Sequence, residues 1–391
     1  MIRRVVVGAI ALLALGLVPA TPARAQSIGA MTSELQALQA KMAAGDQAAF
    51  AAQPERLKAI SAAIQAAPPE TWQTKSETDG AIVYLLSGGR ARDIVQLLRS
   101  GVVPQSEAPL MRGALDYIVG DEVEAHTLLD DVDPRTLDLR LAAQIAFAQS
   151  VLASSKDVKK AIALLDLARL LAPGALIEEV ALRREIALVA DQRDVDRFTV
   201  LCRQYATRFG RSIYAEHFVQ SLAPIALKAD LIDDLASFQK FHAFVTSLTP
   251  SARTHFLLTV AHAEAVNGKF GVASVASNEA LQDVASDSAE AARGKLYEAS
   301  ARILTPDYDS GVAELRSVAE EKLDKQDQAL LGAVRGVAAY MREMPSEAAS
   351  ANPPPPTAKQ DNDAVASTIA LAEVALKRNA DKDGASPKGS P

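Results

Sequence analysis

One pattern constrains this chain more than any other: a short helical hairpin that returns at nearly constant spacing. Its clearest copy starts at Asp157. There Ala161, Leu165 and Ala168 share one helical face, the two alanines are small enough for a neighbouring helix to approach closely, and Pro173-Gly174 stops the helix. Ala125 with Leu129, and Ala273 with Ala280, occupy matching places. Ala125 and Ala161 stand 36 residues apart, close to the period of about 34 in tetratricopeptide arrays. Gly120, Lys156-Asp157 and Gly268 mark the turns within the hairpins. A hairpin of this kind cannot bury its apolar stripe alone. Neighbours must stack to make one continuous core.

Read in register, the pattern predicts seven helix pairs: 79–87 with 90–100, 107–119 with 121–130, 136–153 with 157–172, 176–190 with 194–208, 212–227 with 231–245, 251–267 with 270–284, and 287–304 with 309–324. A last helix, 326–342, caps the stack. Asp133-Pro134 and Thr249-Pro250 place a capping side chain just ahead of a proline near the helix start. Composition agrees. Apolar residues make up 49% and aromatics only 5%, which suits closely packed helices better than strands. No alternating run is flanked by hairpin turns. The expected fold is therefore all-α: a tetratricopeptide-like helical-hairpin solenoid over 78–344. An N-terminal helical segment, 26–77, precedes it. There Leu35, Leu38 and Met42 share one face, and Leu57, Ile60 and Ile64 share another after Pro54. Trp72, directly after the Pro68-Pro69 stop, reads as a packing anchor.

The two ends read differently. Residues 1–25 have the form of a secretory signal peptide. Arg3 and Arg4 are followed by an apolar run, and Ala23-Arg24-Ala25 is a small-x-small cleavage site. The run is shorter than the roughly 20 residues of a spanning helix. The rival reading is an uncleaved anchor. No later segment has the length and apolarity to span a membrane, so the mature chain is expected in the periplasm. Residues 345–391 read as a disordered Pro-rich tail, with Pro353 to Pro356 at its start. Within it, Val365, Ile369, Ala372 and Leu376 recur at helical spacing, giving a short amphipathic helix at 362–378. That helix either docks on a surface or stays marginal.

The residues give no catalytic constellation. Cys202 lies on the stripe Val195, Phe198, Cys202, Tyr205, Phe209, so it points into the core, where a thiol is inert. A single cysteine also rules out an intramolecular disulfide. His255 and His262 are seven apart, about 10 Å along a helix, too far to share a metal. The acidic groups Asp130-Asp131-Asp133 and Asp230-Asp233-Asp234 sit at turns, where carboxylates cap helices. Gly88-Gly89 lacks the Gly-Lys-Ser/Thr of a phosphate loop. The net charge of −7 disfavours nucleic acid. No cofactor, metal or small-molecule substrate is expected.

One surface feature reads as a partner site. Arg193, Arg197, Gln204 and Arg208 fall on one face of a single helix, and Arg211 follows just past its end. Arg193, Arg197, Arg208 and Arg211 are the partner-binding candidates, since arginine fits carboxylates bidentately. The competing reading is a solvated face balanced by Asp194 and Asp196.

Three stretches carry a family resemblance. They are Tyr84-Leu85-Leu86-Ser87-Gly88-Gly89, the run Leu170-Leu171-Ala172-Pro173-Gly174 continuing through Glu178-Glu179-Val180 to Arg183-Arg184-Glu185, and Arg203-Gln204-Tyr205-Ala206-Thr207-Arg208-Phe209 with Ser212-Ile213-Tyr214-Ala215. This text resembles the MotC family of periplasmic motility proteins from flagellated rhizobia and related α-proteobacteria. The resemblance implies a non-enzymatic accessory of the flagellar motor. It implies that the partner is the periplasmic domain of the stator protein MotB, and that flagellar rotation requires the protein. The alternative is a general periplasmic scaffold of the tetratricopeptide type in cell-envelope assembly. A weaker one is the helical module of a wall-degrading enzyme.

Overall fold

A computed structural model describes residues 27–343. The expected signal peptide and the Pro-rich tail with its helix at 362–378 lie outside the described residues. Residues up to Val334 belong to one compact unit, and the second begins at Arg335. Within the described residues there are seventeen α-helices and no strand.

The hairpins fall where the repeat pattern puts them. After α1 (Ile28–Ala43) and α2 (Gln47–Ala66) come α3 (Lys75–Leu86) with α4 (Ala91–Arg99), α5 (Ala108–Val119) with α6 (Glu122–Leu129), and α7 (Leu139–Ala153) with α8 (Val158–Leu171). Then follow α9 (Leu176–Asp191) with α10 (Val195–Phe209), α11 (Ala215–Lys228) with α12 (Leu235–Val245), and α13 (Pro250–Val266) with α14 (Phe270–Leu281). The series closes with α15 (Ala289–Ile303), α16 (Tyr308–Arg316) and α17 (Lys325–Glu343). Carboxylates at the turns start many of these helices. Asp157 accepts from the Lys160 amide (2.9 Å), Asp194 from Arg197 (3.0 Å) and Asp234 from Ser237 (2.7 Å).

Three expectations about element ends change. The helix expected over 309–324 stops at Arg316, and a 3-10 turn, Glu320–Lys322, follows it. α2 does not begin after Pro54 but runs through it from Gln47. Asp46 caps the earlier start (3.0 Å to the Ala49 amide), and the Pro54 ring sits on the exposed face. The third hairpin opens with a 3-10 turn at Pro134–Thr136, so α7 starts three residues later than 136. The boundary expected between 77 and 78 falls inside α3.

The odd-numbered helices pack on one another to form one layer, α3 against α5 and α7, and α9 through α11 and α13 to α15. Each even-numbered partner lies outside it. Small residues set the spacing: Ala125, Ala161, Ala168, Ala273 and Ala280 are all buried. Trp72 is buried, and Phe198, Cys202, Tyr205 and Phe209 form the expected core stripe. Burial pushes the Cys202 thiol well up, so it stays protonated.

α1 departs from nearest-neighbour stacking. It lies on the layer of odd-numbered helices, touching α3 and α9 as well as α2. Glycines permit the first crossing: a Cβ on Gly80 would come within 2.9 Å of the Gly29 nitrogen, and one on Gly29 within 2.8 Å of the Ser76 carbonyl. The buried Glu77 carboxylate accepts from the Ile28 amide (2.7 Å), a favourable place for negative charge at a helix N-terminus. Midway, Gln36 donates to the Arg140 carbonyl (2.7 Å), and the Arg140 guanidinium donates to the Gly29 carbonyl (3.0 Å). At its far end the Met42 carbonyl accepts from the Ile213 amide (3.3 Å). Ile28, Thr32, Leu35, Gln39 and Met42, spaced alternately four and three apart, are the buried stripe that makes this seat.

Candidate functional site

The arginine face of α10 is largely occupied by the chain's own carboxylates. Arg197 reaches Glu185 (2.8 Å) and Asp166 (3.1 Å), and Arg169 donates to the other oxygen of Glu185. Glu185 is fully buried, so this clamp of two guanidiniums locks α8, α9 and α10 together. Burial pushes its carboxyl up, and the two arginines oppose that shift. Arg208 pairs with the buried Glu178 (2.7 Å), which also accepts from the Gly174 amide (2.5 Å). Arg193, at φ 57° in the turn before α10, pairs with Asp230 (2.7 Å). Gln204 accepts from Arg169 (2.5 Å). The balancing acids expected from the sequence are not the ones used. Asp194 caps α10, and Asp196 pairs with Lys240 (2.9 Å).

Arg211 is different. It is exposed and has no ion-pair partner among the described residues. Its backbone is held on two sides. Next to it, Ser212 donates to the buried Glu179 (2.7 Å), which also accepts from the Tyr205 hydroxyl (2.9 Å). On the other side the chain turns at Gly45, φ 100°, where a Cβ would lie 2.3 Å from the Arg211 carbonyl oxygen. Arg211 therefore stands at the point where α1 ends against the loop joining α10 to α11.

From that point a groove of about 1270 Å³ opens across α11, α13 and α15. Ala43 and Ala44 form one end, and Val284, Glu290 and Arg293 the other. Its floor includes Ala215, Val219, Leu248 and Leu258, all buried side chains. Arg208, Arg211, Glu216 and His255 stand along it. Of the four arginines singled out in the sequence, the groove brings Arg208 and Arg211 together. Arg193 and Arg197 are not part of it. Sequence reading missed Glu216, His255 and Arg293. They lie on α11, α13 and α15, three helices that come together only in the fold, so no spacing within one helix could have found them.

Among the described residues no group of three or more His, Cys, Asp or Glu is placed to hold a metal ion. No described helix is long and apolar enough to cross a membrane. Fold and site together define an all-α helical-hairpin solenoid with a long groove on its odd-numbered layer. The chain belongs to the family described as Chemotaxis protein MotC, whose model matches residues 1–388. It is 26% identical over 349 residues to the Chemotaxis protein MotC of Rhizobium meliloti (strain 1021), covering 89% of this chain and 80% of that one. No solved structure matches it.

Proposed function

We propose that this chain is a non-enzymatic periplasmic accessory of the flagellar motor, which binds the periplasmic domain of the stator protein MotB and is required for flagellar rotation. The observation that carries this reading is the family match over nearly the whole length. The leader-like N-terminus supports export, and a hairpin array with a long groove suits recognition of another protein. Partner binding falls mainly to Arg211 and the outer side of Arg208. Arg193 and Arg197 are paired with the chain's own carboxylates, Asp230 and Glu185.

A deletion strain tests the reading. Its cells should assemble normal numbers of flagella by electron microscopy yet fail to swim, and the exported wild-type chain should restore swimming. Normal swimming in the deletion strain would overturn it.

A further inference from the structure

The groove and the seat of α1 are two parts of one surface. α1 is 16 residues, about 24 Å long. It crosses α3 at its start and α9 further on, and it stops at the loop before α11, where the Met42 carbonyl accepts from Ile213. The layer continues to α15 with no helix of this chain laid along it among the described residues. The open part begins where α1 stops, at Ala43 and Ala44.

The filled half shows what the surface accepts. It takes a helix with an apolar stripe spaced three and four apart, relieved by Thr32 and Gln39. The open half is mixed in the same way: Val219, Leu248 and Leu258 lie at its floor, and polar side chains such as Gln220, Ser251 and Thr254 line it. Its volume of about 1270 Å³ matches a helix of about ten residues, some 15 Å long and 10 Å across. At the junction stands Arg211, its backbone held by its neighbours and its side chain without an ion pair among the described residues. We infer that the open half of the layer is a docking site for an amphipathic helix of a partner protein, of about ten residues, lying end to end with α1 and carrying a carboxylate that meets Arg211.

The partner's identity rests on the stator-binding reading, and the experiment separates the two. The purified periplasmic domain of MotB is titrated against the mature full-length chain and three variants. Gln220→Trp and Ser251→Trp fill the groove from exposed rim positions, and Arg211→Glu reverses the junction charge. Circular dichroism checks that each keeps the parent helix content. Each variant should bind at least tenfold more weakly, whereas Val123→Asp, exposed on α6 and no part of the groove, should bind like the parent. A photo-crosslinker at position 220 or 251 should label one contiguous helical segment of the partner. Parent-like binding by both tryptophan variants, or crosslinks scattered over the partner, would overturn the groove assignment while stator binding stands. Absence of binding by the parent chain would overturn both.

Discussion

Glu314 on α16 is held under conditions that few surface carboxylates meet. Burial acts on it first, and the nearby carboxylate of Glu298 acts second; together they push it up to about 7. Arg302 bonds Glu298 and comes only within 3.5 Å of Glu314, leaving the Glu314 Oε2 atom without a hydrogen bond. A carboxyl whose folded-state value lies above its unfolded value, 4.5, binds its proton more tightly in the native chain. Its contribution to stability is therefore full below pH 4.5 and is lost as the pH rises through 7. Urea unfolding of the wild type and Glu314→Gln at pH 5 and pH 8 checks this. The gap between them should shift by on the order of 2 kcal/mol in favour of the glutamine variant at the higher pH. A pH-independent gap would show that Glu314 is ionised throughout. Glu185 carries two arginines where Glu314 has a share of one, yet burial pushes both carboxyls up.

Helix α1 gives the sharpest test at the scale of an element. Its crossing with α3 depends on two missing side chains, Gly29 and Gly80, with backbone atoms as the obstruction. Gly80→Ala places a methyl group against the Gly29 backbone and should destabilise by about 1–3 kcal/mol in thermal or urea unfolding, with loss of the α1 seat. Gly332→Ala, where no atom lies within 4 Å of the added carbon, should be neutral or stabilise by about 0.5–1 kcal/mol. Equal effects of the two would sink the crossing as the cause. The hairpins themselves were legible in the sequence. Turn glycines, capping acids and alanine spacing are local signals, and they place α3 to α15 within about four residues, whereas α16 stops at Arg316, short of the expected 324. The seat of α1 was not legible, because it rests on pairings such as Glu77 with Ile28, Gln36 with Arg140 and Met42 with Ile213, which leave no periodic trace. The basic strip was legible as a face but not as an ion-pair lattice. Glu178, Glu185, Asp166 and Asp230 come from other elements, and helical spacing shows only one helix at a time.

Arrays of stacked hairpins hold together through adjacent contacts, and each unit opens nearly on its own. α1 breaks that rule over part of this molecule, because one helix touches α3, reaches Arg140 at the start of α7, packs on α9 and meets the loop before α11. Native-state hydrogen exchange should show it. Amides of α3, α7 and α9 should share one high opening free energy, while those of α13 to α16 should exchange from a lower and more graded set of openings. Uniform protection from α3 to α16 would contradict this. The same strap has a mechanical meaning. Pulled end to end, the array acts as two springs in series, one stiffened by a strut laid across its coils and one left free. Most of the extension falls on the free spring, so the length of the molecule and the width of the open groove change together.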